Sequence, residues 1–93
     1  MRTKSAWYVY IIETTCNKFY TGITTDVQRR FNEHMAVFSG TGKKGAKFFR
    51  GHQPKQIIFQ ELQESRSSAS KREIQIKSMT KTEKLGLLTS VNI

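Results

Sequence analysis

Three tyrosines, one arginine, one histidine and one glutamate are the residues of this chain whose types and spacing could do chemistry together. Tyr8 and Tyr10 stand two apart in an aromatic, β-branched stretch, and Tyr20 stands in a second such stretch. Arg30 and His34 are four apart, so on a helix they project side by side from one face. Glu73 falls about 40° from Ala69 on a helical wheel and between Ala69 and Ile76, which puts it on the inward side of its helix. A phenol ionises only near pH 10 and can take a proton at neutral pH only if cations lower that value. A guanidinium stays charged and pairs with a phosphate through two parallel hydrogen bonds. An inward carboxylate needs a cation, donors or neutralisation. For Glu73 this leaves two readings: an ion pair with a core-facing base such as Arg30, or a metal ligand at the floor of a cleft. Taken alone, the tyrosines read as an aromatic cross-strand cluster.

The elements that must position these groups follow from periodicity. Trp7–Glu13 and Phe19–Thr24 have the composition of strands, and the short polar link between them makes an antiparallel hairpin. Tyr8, Tyr10 and Ile12 share one face of the first; Tyr20, Gly22 and Thr24 share one face of the second. A helix then opens with Thr25 and Gln28 as a capping box and Asp26 in its first turn. Its buried stripe is Val27, Phe31, Met35 and Phe38, with Arg30 and His34 at the edge and Arg29 and Glu33 pointing away. Ser39–Gly51 reads as a loop. Its Gly40, Gly42 and Gly45 spell G-x-G-x-x-G by chance, because the stretch follows a helix and precedes a strand. A third strand, Lys55–Leu62, a helix from Glu64–Ser65 to about Lys77, and a short helix around Thr82–Leu88 complete the chain. The expected fold is α/β (α+β): a small, three-stranded, mainly antiparallel sheet flanked by helices, in the order β-β-α-β-α-α.

Composition narrows the partners. The chain has 93 residues, which fits one domain over 1–93. No apolar run is long enough to cross a bilayer, and Met1–Ala6 leads straight into a strand-like segment rather than forming a signal peptide. Cys16, the one cysteine, has no disulfide partner and no His or acid at catalytic spacing. These features point to the cytoplasm. Sixteen Lys and Arg against seven Asp and Glu give a net charge of +9. No acid occurs between Glu33 and Glu61, where Lys43, Lys44, Lys47, Arg50 and Lys55 stand. Such a stretch is either a solvated basic surface or a binding face for phosphate backbones. Trp7 reads as core, Phe48–Phe49 as core or as a base-stacking pair, and His52 as a solvated loop residue.

The ordered set resembles the GIY-YIG nuclease family, in particular its small stand-alone members. Tyr8-Val9-Tyr10 is similar to the first signature triplet and Tyr20-Thr21-Gly22 to the second. Gly22, Thr24, Asp26, Arg30 and His34 follow at the family's spacing, Glu73 resembles its metal-binding glutamate, and Gly45–Pro54 its basic loop. The likeness runs from about residue 7 to residue 88. It implies an endonuclease that hydrolyses DNA phosphodiester bonds with one Mg²⁺ or Mn²⁺, in repair or recombination, on structured or branched DNA among other forms. Tyr10 would activate the attacking water, Tyr20 would orient the site or hydrogen-bond the phosphate, and Arg30 would bind the scissile phosphate. His34 would assist proton transfer or positioning, and Glu73 would hold the metal. The basic field around Arg30 and the metal would lower the Tyr10 pKa. Lys43, Lys44, Lys47, Arg50 and Lys55 would track the nucleic acid. The alternative is a catalytically weak nucleic-acid-binding module using the same basic face, and a third reading is an interaction domain recruited by a larger repair protein.

Overall fold

The computed structural model describes residues 6–91, with side chains to Leu88; the approach of residues 1–5 to the first strand lies outside them. The elements are β1 (Trp7–Thr14), β2 (Phe19–Thr24), α1 (Val27–Ser39), a 3₁₀ turn (Lys47–Arg50), β3 (Pro54–Gln63), α2 (Arg66–Lys77) and α3 (Lys81–Val91). The order is the one the sequence predicts, and both strand pairings are antiparallel, in the spatial order β2-β1-β3. The hairpin turn closes with the Thr14 amide on the Lys18 carbonyl (2.9 Å) and Asn17 at φ 67°, a left-handed conformation that Asn tolerates. Its register sets Tyr10 opposite Gly22 and Ile12 opposite Tyr20.

Because side chains alternate along β1, the strand serves two layers. Val9 and Ile11 are fully buried with Phe59 and with Ala69 and Ile76 of α2, and Leu87 and Leu88 of α3 pack on the same cluster. Tyr10 and Ile12 face the other way, against Val27 of α1 and Phe49 of the 3₁₀ turn. The sheet is therefore sandwiched, with α1 on one face and α2 and α3 on the other.

Three local expectations need correction. Asp26, not Thr25, caps α1: its carboxylate accepts from the Arg29 amide (3.0 Å), while the Thr24 hydroxyl accepts from the Asp26 amide (3.1 Å). A short carboxylate reaches the third amide, and its charge also suits the helix dipole. On the inward face of α1, the fully buried position belongs to His34, whereas Phe38 is 39% exposed. The imidazole can be buried because both of its nitrogens find partners. The Ser39–Gly51 loop contains the Lys47–Arg50 turn, which delivers Phe49 to the core. The later helices have reciprocal caps, Ser65 with Ser68 for α2 and Thr80 with Glu83 for α3.

Candidate active site

Tyr10 is the centre of the aromatic layer. Its partner across the hairpin is Gly22, and a Cβ there would stand 2.5 Å from the Tyr10 hydroxyl. The absent side chain thus lets the phenol lie across β2, the edge strand, with its oxygen toward the rim of the sheet. The hydroxyl is 2.9 Å from His34 Nε2. The other ring nitrogen, Nδ1, accepts from the Ala46 amide at 3.1 Å. An acceptor Nδ1 carries no proton, so Nε2 carries it and donates to the Tyr10 oxygen. Burial, with the Arg30 charge adding to it and Glu33 opposing, pushes the His34 pKa down to about 4, so the imidazole is neutral at pH 7.

The Ala46 amide reaches His34 because the loop lies directly on α1. A Cβ on Gly45 would meet the Glu33 carbonyl at 2.6 Å, Val37 Cγ2 at 2.7 Å and His34 Cα at 2.8 Å. Glycine is the residue that permits this approach. Arg30 secures the same loop: its Nη1 donates to the Lys44 carbonyl (2.6 Å) and to the Glu33 carboxylate (2.8 Å). Glu33, expected to point away, instead has a side chain only 22% exposed, and the hydrogen bond from Arg30 holds its pKa below the ordinary value.

Glu73 approaches from the opposite layer. Its helix packs on β2 and β1, and its negative charge is near enough to raise the pKa values of both Tyr10 and Tyr20, as the smallest of the influences on each. Its ion-pair partner is Lys77 (3.2 Å), one turn along α2, rather than Arg30. Lys77 also pulls the Tyr20 pKa down, against the burial that raises it. Without a metal, the net effect on Tyr10 is upward. Burial lifts its pKa well above the ordinary 10 and Tyr20 adds to the rise; the Arg30 guanidinium lowers it, but less. Removing a phenolate from water costs more than one partly exposed guanidinium returns.

As a metal ligand, Glu73 offers a half-buried carboxylate, an oxygen donor suited to Mg²⁺ or Mn²⁺. No group of three or more His, Cys, Asp or Glu gathers among the described residues. A hard cation that keeps most of its waters needs only one protein carboxylate, so the residue fits that role with Lys77 displaced.

Around this centre, Tyr20 lies 5.3 Å from the His34 ring and 6.3 Å from Tyr10. Phe49 is core, 4.3 Å from His34, while half-buried Phe48 stacks between Tyr20 (5.5 Å) and His52 (4.2 Å). His52 is therefore not simply solvated; it also bonds the Phe48 carbonyl through Nδ1 at 2.8 Å. Lys43, Lys44, Lys47, Arg50 and Lys55 are all exposed. Lys43, Lys47 and Arg50 line one cavity of about 420 Å³ beside α1; Lys44 spends its carbonyl on Arg30, and Lys55 sits apart on β3. The contributions of Gly22, Gly45, the Ala46 amide and Lys77 were not foreseen. Gly22 and Gly45 stood in the family-like motifs without their packing roles being visible, and Lys77 had its four-residue spacing from Glu73 as a signal.

An α+β sandwich that sets two phenols, an imidazole and a guanidinium on one face, with a carboxylate on the other layer whose charge still reaches both phenols, has parts that a hydrolytic catalytic domain could use. The GIY-YIG catalytic domain matches residues 6–85, and the chain belongs to that family, a superfamily of nucleases that generally use divalent metal ions. A UPF0213 protein of Cupriavidus necator is 46% identical over 90% of this chain and 85% of its own length. The UPF0213 protein YhbQ of Escherichia coli is 44% identical over 84% of this chain and 72% of its own length. Two solution NMR structures share the fold. A UPF0213 protein of Bacillus halodurans has a TM-score of 0.54 and 36% identity, covering 90% of this chain and 83% of its own. A protein of E. faecalis has a TM-score of 0.62 and 33% identity, covering 99% and 92%. No helix among the described residues is long and apolar enough to cross a membrane.

Proposed function

We propose that this chain is a metal-dependent endonuclease domain that hydrolyses DNA phosphodiester bonds in repair or recombination, acting in the cytoplasm. The observation that supports the reading is the Tyr10–His34 hydrogen bond, with the charges of Arg30 and Glu73 both acting on the same phenol. Arg30 exchanges its Glu33 and Lys44 contacts for the scissile phosphate, whose equatorial oxygens match its planar fork. Tyr10, after losing its own proton to solvent, accepts as phenolate the proton of the attacking water while that oxygen bonds to phosphorus, and the departing oxygen takes a proton from solvent. His34 supports this by donating Nε2–H to the phenol oxygen, which favours the phenolate; with Nδ1 engaged by Ala46, it positions rather than shuttles. Tyr20 orients the phosphate from the open side. Glu73 holds a Mg²⁺ or Mn²⁺ ion, which when bound supplies positive charge that offsets the burial penalty on the phenol and the charge developing on phosphate. Lys43, Lys47 and Arg50 track the flanking backbone from their shared cavity, with Lys44 and Lys55 as outer contacts.

The test is cleavage of branched, single-stranded and duplex DNA with Mg²⁺, Mn²⁺ or chelator, by the wild type and by Tyr10→Phe, Arg30→Ala and Glu73→Ala. Metal-dependent cutting that is lost in all three variants is expected. Cutting that persists in them overturns the assignment. Binding without cutting selects the second reading, a nucleic-acid-binding module, which the 1% exposure and raised pKa of Tyr10 favour.

A further inference from the structure

A second basic cavity, of about 350 Å³, lies between the β1–β2 turn, the 3₁₀ turn and α3, lined by Asn17, Lys18, Phe19, Phe48, Lys81 and Lys84. Half of these residues are lysines and none is an acid. Lys81 ties the wall together: its ammonium donates to the Asn17 carbonyl and stands 4.9 Å from the centre of the Phe19 ring. Lys84 is half-buried, and both burial and the neighbouring Lys77 charge lower its pKa. Two acids close in sequence are already engaged, Glu73 with Lys77 and Glu83 with the Thr80 amide. Half-buried Lys84 on a wall without a carboxylate is a charge that an entering anion would stabilise.

Two residues connect this cavity to the candidate active site. Phe48 lines it and stacks on Tyr20. Lys77 pairs with Glu73 and acts on both Tyr20 and Lys84. A strand whose phosphate sits at Arg30 would therefore continue past Phe48 into a lysine-lined hollow.

We propose that this cavity is a second nucleic-acid subsite, in which Lys81 and Lys84 hold the backbone phosphate of a nucleotide flanking the scissile one. The assignment rests on the nuclease reading for its register, but its test does not need cleavage. A fluorescein-labelled single-stranded oligonucleotide of about a dozen residues, near the upper site size of small single-strand binders, is titrated with EDTA present and its anisotropy followed. The Lys81→Ala/Lys84→Ala double variant binds at least several-fold more weakly, and its log–log salt slope is shallower by about 0.7 per lysine removed. Lys81→Arg/Lys84→Arg restores affinity, which separates charge from damage to the α3 contact. Lys71→Ala, an exposed α2 lysine outside the cavity, changes neither quantity. Unchanged affinity and slope in the alanine double variant overturn the subsite. A wild type that binds this way but cuts nothing with metal removes the catalytic reading and leaves the subsite standing; one that cuts while the double variant binds normally does the reverse.

Discussion

The two faces of the sheet are built from one strand but from different materials. Toward α2 and α3, β1 presents Val9 and Ile11 to Phe59, Ala69 and Ile76, a cluster with no titratable group. Toward α1 it presents Tyr10 and Ile12 to His34, Phe49 and Tyr20, where rings, hydrogen bonds and shifted pKa values crowd together. The aliphatic face carries stability through dry packing. The aromatic face gives up part of that packing to hold polar groups in fixed protonation states. Substitutions on the two faces should therefore separate into those that change chemistry and those that change folding.

The largest effect is expected where the aromatic face meets substrate. Arg30→Ala should lower metal-dependent cleavage about 10²–10³-fold, the usual loss when a preorganised charge donor is removed. Its melting temperature should move little, since Arg30 is partly exposed and its bonds to Glu33 and to the Lys44 carbonyl are both near the surface. A fall in stability that accounts for the lost activity would erase the distinction between the faces. Gly22→Ala comes next. The added methyl would sit 2.5 Å from the Tyr10 oxygen, and a phenol displaced by about 1 Å should cost roughly 10²-fold in rate. Normal cleavage by this variant would show that the phenol need not lie over β2.

Ile76→Ala probes the aliphatic face. The side chain is fully buried, so the loss should be roughly 2–5 kcal/mol, with a melting shift of about 4–8 °C per kcal/mol. Cleavage per folded molecule should be unchanged, measured at a temperature where the variant is folded. A rate defect there would mean that α2 packing sets the placement of Glu73.

The division between faces also explains what could be read in advance. The strand-like composition of Trp7–Glu13 and Phe19–Thr24, and the inward phase of Glu73 between Ala69 and Ile76, are local patterns, so the strands and their order were legible, whereas the candidate residues came from the family's ordered motif. The Arg30–His34 spacing was legible too, but not the depth of His34, because that depends on an amide twelve residues away finding Nδ1. Likewise, Gly45 belonged to a family-like basic loop, but its close packing on α1 could not be read before the loop was seen to lie there. The burial that raises the Tyr10 pKa in the metal-free protein was not legible, because sequence shows the nearby cations but not the depth of the phenol. Phe48 and Phe49 could not be told apart until the 3₁₀ turn pointed one inward.

The smallest effect is a pH dependence confined to the aromatic face, and it is the finest test of the hydrogen-bond order proposed there. The unfolded chain takes up a proton at His34 near pH 6.5, whereas the native imidazole resists protonation until about pH 4. Between those values the unfolded state binds more protons, so stability should be full above pH 6.5 and decline as pH falls through the window. Glu33, whose pKa is held below 4.5 by the Arg30 hydrogen bond, contributes a loss of the same sign but at lower pH. The two are separable by urea denaturation at a series of pH values. His34→Gln should flatten the slope between pH 6.5 and 4.5 and leave the steeper acid limb in place. A wild type with no slope in that upper window would mean that His34 carries its proton in the native state. Nδ1 could not then accept from Ala46, and the donor to the Tyr10 oxygen would be an imidazolium rather than a neutral ring.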